Sequence, residues 1–131
     1  MLTIFEKIIL GHLVGDYLLQ SKKMAITKSN KTLEGWLWCL AHCLLYTLSI
    51  CLFTSTTEPI KIILIFMSHF PIDRWSWATK WLKLIRGRNL MSKTDKKDKL
   101  SEIDLSFTTI VYVVVDNTIH LLLMLIIFNY L

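Results

Sequence analysis

Only three cysteines occur, Cys39, Cys43 and Cys51, and all lie in one apolar stretch. An odd number so placed gives no disulfide framework of the secreted kind, and reduced thiols in an apolar setting are the default. Charged residues are also scarce, at 19% of the chain, and they are clustered. There is no nucleophilic-serine motif, no glycine-rich phosphate loop and no nucleotide fingerprint, so nothing in the chain advertises serine hydrolysis or nucleotide binding. No repeat of solenoid length and no linker divides the sequence. The N-terminus lacks the basic start of a secretory leader, carrying Glu6 and Lys7, and "QSKKMAITK" stands where a small-residue cleavage site would be. The first apolar stretch is therefore expected to stay in the mature protein.

What the chain has in excess is apolar surface. Of 131 residues, 53% are hydrophobic, and the mean hydropathy is +0.49, too apolar for an ordinary soluble domain of this length. Four windows, approximately 2–19, 36–53, 60–77 and 105–130, approach the length needed to cross a hydrocarbon core of roughly 30 Å. The expected architecture is all-α: one integral membrane domain over residues 1–131, a four-helix bundle with a short basic interfacial helix after the third span. That helix and a polar loop cover approximately 78–104. In "RWSWATKWLKLIRGRN" Trp77, Trp81, Leu84 and Ile85 share a face, while Lys80, Lys83 and Arg86 lie away from it. Such a helix suits an interface over anionic headgroups. "MSKTDKKDKLSE" follows as a polar loop expected to be mobile, and "SEID" has the form of a capping box for the last helix.

Basic residues set the expected orientation. Lys22, Lys23, Lys28 and Lys31 lie in the first connection, and Arg74, Lys80, Lys83, Arg86, Arg88, Lys93, Lys96, Lys97 and Lys99 in the third. Positive charge near span ends marks the cytoplasmic face. A multi-pass protein of the inner membrane with both termini away from the cytoplasm follows. The formal net charge of +5 is then a topology signal, and no nucleic-acid partner is expected.

All four histidines, His12, His42, His69 and His120, fall inside the windows. Three are spaced four residues from an aspartate: "HLVGD" pairs His12 with Asp16, "HFPID" pairs His69 with Asp73, and "DNTIH" pairs Asp116 with His120. Residues four apart share a helical face about 6 Å apart along the axis. The motif reverses in the fourth window, which runs the other way, so all three carboxylates should lie on the cytoplasmic side of their histidines. His42 can join from the second helix, at the edge of the cluster. Ionisable groups inside a membrane mark an ion, a proton path or a substrate. Asp oxygen and His nitrogen suit a divalent metal such as zinc, manganese or iron, one ion or two. The candidate ligands are His12, Asp16, His42, His69, Asp73, Asp116 and His120, with Asp16, Asp73 and Asp116 as candidate catalytic carboxylates. Gln20 continues the face of His12 and Asp16, either for a supporting or substrate role or as an interfacial amide that caps the helix. Asn117 suits helix–helix hydrogen bonding, and Cys39, three before His42, either faces the interior or fills space. Pro71 is expected to kink the third helix, and Gly11 and Gly15 to allow close helix approach.

"HLVGDYLLQ", the histidine of the second window, "HFPID" and "DNTIH" together resemble a family of small bacterial and phage membrane proteins catalogued as domain of unknown function 3307. The resemblance covers essentially the whole chain. It departs at Asn117, where glutamine is usual, and in having His42 alone in the second span. The arrangement is more distantly similar to membrane-bound metal-dependent hydrolases and helical zinc-dependent phospholipases, which implies metal held by His and Asp from several helices.

The leading expectation is metal-assisted hydrolysis of a phosphoester or lipid-headgroup bond in an unidentified small-molecule or lipid substrate. The alternatives are a proton or metal-ion transport or sensing protein, and a nonenzymatic phage or host membrane interaction protein with a structural polar cluster. A homo-oligomer is compatible with either. The orientation is directly testable: with the native cysteines removed, Ser92→Cys should react with an impermeant thiol reagent only after the inner membrane is opened, and labelling of intact cells would reverse the topology.

Overall fold

Short polar caps decide where the helices begin. In a computed structural model, which describes the backbone of residues 1–86 and 99–131 and the side chains of 1–85 and 103–131, Thr3 and Glu6 form a reciprocal capping box. The Thr3 amide donates to the Glu6 carboxylate at 2.7 Å, and the Glu6 amide donates to Thr3 Oγ1 at 3.3 Å. That box opens α1 (Ile4–Leu13), which passes into a π-helical turn over Val14–Leu18. Ser21 caps α2 (Lys22–Thr27), a short helix in the first connection, and Thr32 caps α3 (Leu33–Thr54). Pro59 occupies the first turn of α4 (Pro59–Arg74), where its missing N–H costs no hydrogen bond. α5 spans Trp77–Arg86 and α6 Lys99–Tyr130. No strand occurs among the described residues.

Two of the four apolar windows become helices long and apolar enough on their own to cross a membrane, Leu33–Thr54 and Ile103–Tyr130. The other two are shorter. α4 ends at Arg74 and not at Trp77, because Ser76 turns the chain in a left-handed conformation, φ 49°. The first window is split between α1 and the π turn. α6 is already helical at Lys99, and the side chains of the proposed capping box at Ser101 and Glu102, the Arg86 side chain and most of the polar loop lie outside the described residues.

α1, α3, α4 and α6 pack in a closed ring: α1 on α3, α3 on α4, α4 on α6 and α6 on α1. Close approach of the first pair depends on two glycines. A Cβ at Gly11 would stand 3.1 Å from Ile50 Cα, and one at Gly15 would stand 2.9 Å from the Tyr46 ring. α5 lies against α4 and α6, burying Ala78 and Leu82 while Trp77, Trp81, Leu84 and Ile85 stay exposed.

The burial pattern is inverted relative to a water-soluble bundle. Leu44, Leu48 and Leu52 on α3 and Ile110, Val114, Leu122 and Ile126 on α6 face outward, whereas His12, His42, His69 and His120 are all at most 1% exposed. Buried polar groups beneath an extended apolar exterior are the informative combination.

Inside the ring the side chains stack in turns of four residues. Ile8, Ile50, Ile65 and Met124 belong to an apolar plug. One turn along each helix come His12, Tyr46, His69 and His120, whose rings touch in a closed circuit: His12–Tyr46 at 5.7 Å between centroids, Tyr46–His69 at 3.7 Å, His69–His120 at 4.2 Å and His120–His12 at 5.7 Å. A further turn brings Asp16, His42, Asp73 and Asp116. Gly15→Ala should force the Tyr46 ring out of this circuit and destabilise the fold by about 2 kcal/mol, the cost of an overpacked core. Thermal unfolding in detergent is the measurement, and an unchanged midpoint would show that the approach is not tight.

Candidate metal centre

Each helix reaches the centre by its four-residue step, and local backbone features adjust the aim. The π turn, Val14–Leu18, carries Asp16 at its middle, and such turns recur at functional sites. α4 continues through Pro71, which sits between His69 and Asp73 and leaves the site one backbone donor short.

The densest contacts involve three atoms. His42 Nε2 and His69 Nε2 are 3.0 Å apart, and Asp73 Oδ2 lies 2.9 Å from the first and 3.1 Å from the second. Asp16 Oδ1 approaches the same nitrogens to 3.3 and 3.6 Å. The Gln20 amide nitrogen is a further 3.1 Å from His42 Nε2. An imidazole nitrogen has one in-plane position, filled by a proton or a lone pair. With Asp73 ionised beside Lys28, no placement of protons satisfies this triangle: either two N–H groups confront each other or a bare imidazole nitrogen faces the carboxylate.

A cation would resolve the conflict. Four ligands held about 2.0–2.2 Å from a tetrahedral zinc-like ion lie about 3.4 Å from one another, and the separations of His42 from His69 and of each from Asp16 and Asp73, from 2.9 to 3.6 Å, bracket that edge length. A second, looser grouping shares Asp73: its Oδ1 is 3.7 Å from His120 Nε2, which is 3.9 Å from Asp116 Oδ2. Asp16–His42–His69 and His69–Asp73–His120 are the two sets compact enough to hold a metal among the described residues. The buried Asp16 Oδ1 and both nitrogens of His120 have no hydrogen-bond partner, an arrangement that is costly without an ion or water.

Not every candidate converges. His12 lies outside both sets because its nitrogens are already engaged: Nε2 donates to Asn117 Oδ1 at 2.6 Å, and Tyr46 hydroxyl meets Nδ1 at 3.1 Å. Asn117 also donates to Tyr17 hydroxyl at 2.6 Å, so it ties α6 to the first segment. Cys39 is fully buried and belongs to neither set. His42, expected at the edge, is central, level with the carboxylates and not with the other histidines.

Two participants had no place in the expected site. Tyr46 completes the aromatic circuit, and its position four after His42 was the available signal. Lys28 Nζ sits 2.6 Å from Asp73 Oδ2, and its place among the topological lysines gave no hint of this. Burial by itself lowers the Lys28 pKa, but the Asp73 carboxylate more than offsets that, and the ammonium keeps its proton to above the ordinary lysine value. With the folded value raised, the stabilisation is complete below the ordinary lysine value and is lost only as pH climbs through the folded one.

A cavity of about 220 Å³ adjoins the centre, lined by Asp16, Tyr17, Gln20, Lys28, Tyr112 and Asp116 among others. It opens on the side of the first connection. All three carboxylates meet that side, Asp73 through Lys28, while His12, His69 and His120 lie behind them.

The family model described as protein of unknown function (DUF3307) matches residues 4–131. The chain belongs to that family. No curated protein and no solved structure matches it. Family membership therefore brings no activity with it, and the chemistry of this DUF3307 member has to be argued from its own side chains.

Removing Lys28 leaves the Asp73 carboxylate, 4% exposed, buried without its ammonium. Lys28→Gln should cost about 3 kcal/mol in detergent unfolding, as for other broken buried pairs. Lys28→Gln with Asp73→Asn should recover part of that loss. Simple additivity in the double-mutant cycle would show that the pair is not coupled.

Proposed function

We propose that this chain is a multi-pass protein of the inner membrane whose α1, α3, α4 and α6 form a single membrane domain around a divalent-metal centre, and that it hydrolyses a phosphoester or lipid-headgroup bond. The observation that carries the metal reading is the pair His42 and His69, whose facing nitrogens stand near tetrahedral-edge distances from each other and from Asp16 and Asp73, contacts that cannot all be hydrogen bonds while Asp73 is ionised. The membrane reading is supported by the apolar exterior of α3 and α6, and the orientation, with both termini away from the cytoplasm, by thirteen of the fifteen basic residues falling in two connections.

A bound divalent ion supplies Lewis acidity and makes a water nucleophilic near neutral pH. The chain's own groups do the rest. His42, His69, Asp16 and Asp73 would hold the ion, with Asp73 shared toward His120. Asp116, 23% exposed at the cavity wall, is the carboxylate free to accept a proton from a water there. Lys28, its charge met by Asp73, lines the same cavity and offers a further N–H to an incoming phosphoryl oxygen, which Gln20 and Tyr17 orient by hydrogen bonds.

Elemental analysis of protein purified in mild detergent should find one or two divalent ions per chain, lost in His42→Ala and Asp73→Asn. Asp116→Asn should retain metal in the tetrahedral set but lower turnover in a phosphoester panel about 100-fold, the usual worth of a positioned base. Ion or proton flux in proteoliposomes without hydrolysis would replace the enzyme with a transporter. Metal-free protein of undiminished thermal stability would reduce the cluster to polar glue between helices.

A further inference from the structure

Beside the metal centre lies a buried charge that the chemistry above does not use. Arg74 is 5% exposed. Its guanidinium stacks over the Trp36 ring at 4.5 Å and one Nη1 donates to the Lys28 carbonyl at 3.3 Å, but Nε has no hydrogen-bond partner. No carboxylate pairs with it among the described residues. A buried guanidinium lacking an anion is expensive, and arginine is the side chain best suited to holding phosphate in a fork.

The surroundings match that need. Arg74 lines a groove of about 620 Å³ with Lys31 and Lys80, the hydroxyls of Ser29 and Ser76, and the rings of Trp36 and Trp75. Three cations and two hydroxyls line it, and no acid does among the described residues. Lys80 also borders a second, almost wholly apolar groove of about 240 Å³, formed by Trp77, Trp81, Leu84 and Ile119. Past Trp81 and Ile119 the apolar surface continues along α6 through Val115 to Leu122. The left-handed turn at Ser76 sets the polar groove at the end of α4 and the apolar one along α5, with Lys80 at their junction.

We propose that these joined grooves bind one anionic phospholipid, the headgroup phosphate on Arg74, Lys31 and Lys80 and an acyl chain running between α5 and α6 to the depth of Leu122. Charge complementarity selects the phosphate, and the apolar continuation selects a lipid over a free anion. The inference rests on the membrane reading and is independent of the metal.

Full-length protein in a neutral detergent is examined by native mass spectrometry with phosphatidylglycerol, phosphatidylcholine or glycerol 1-phosphate added. One phosphatidylglycerol should be retained in preference to phosphatidylcholine. Lys31→Gln with Lys80→Gln, both at exposed positions, should weaken retention about 25-fold, about fivefold for each interfacial cation. Arg74→Gln should weaken it at least as much as one lysine, and Lys22→Gln, outside the groove, should leave it unchanged. If Arg74→Gln does not fold, the lysine pair decides. Equal retention of phosphatidylcholine, or of glycerol 1-phosphate, overturns the proposal, as does a lysine double variant that binds like wild type. Carbonate extraction of membranes tests insertion by itself: a chain that remains in the membrane but shows no lipid preference loses only this site.

Discussion

The interior of the bundle is organised around one buried carboxylate. Asp73 directs one oxygen at Lys28, His42 and His69 and the other toward His120. These partners come from the first connection and from α3, α4 and α6, so four separate parts of the chain meet at one side chain. In an apolar surrounding a carboxylate must be neutralised and its lone pairs met by donors or a cation. That requirement draws the connection inward, packs the short helix α2 beside α3, and makes the ends of the helices next to the first connection the chemical end of the molecule.

The same four-residue step that builds an ordinary helical core builds this centre. Along α1 and into the π turn it runs Ile8, His12 and Asp16. Along α4 it runs Ile65, His69 and Asp73, and along α6, in reverse, Met124, His120 and Asp116. Packing and chemistry thus occupy successive turns of one inward stripe, so a shift of either helix would disturb both. Gly11 and Gly15 let α3 lie close enough for Tyr46 to complete the aromatic circuit. The circuit then separates the apolar plug from the carboxylates with rings whose faces are apolar and whose nitrogens and hydroxyl are polar. Dispersion across such stacked rings gives rigidity, and rigidity is what a ligand set of fixed separations needs.

Arg74 extends this order to the surface. It follows Asp73 directly, contacts the carbonyl of Lys28 and rests on Trp36 at the start of α3. The two cations associated with the end of α4 therefore face different tasks: Lys28 neutralises the interior carboxylate, and Arg74 turns toward a groove without acids. An anion in that groove would stand one residue away from the candidate metal ligands, so the proposed headgroup recognition and the proposed hydrolysis would share one corner of the fold.

Periodicity alone determined the helical class, the inward stripes and the His–Asp pairs, because side chains four apart share a face whatever surrounds the helix. It also marked Gly11 and Gly15 as places for close packing. It could not rank the pairs. His12 and His69 sit in the same motif, yet His12 is tied to Tyr46 and Asn117 while His69 joins the ligand set, a distinction set by which residues lie across the bundle. Tyr46 obeyed the step but carried no charge to draw notice. Lys28 lies 45 positions from Asp73, and Arg74 counted as one basic residue among many. Local spacing determines which face a side chain occupies. Only tertiary structure decides what stands opposite, because partners remote in sequence are brought together by packing that no single helix encodes.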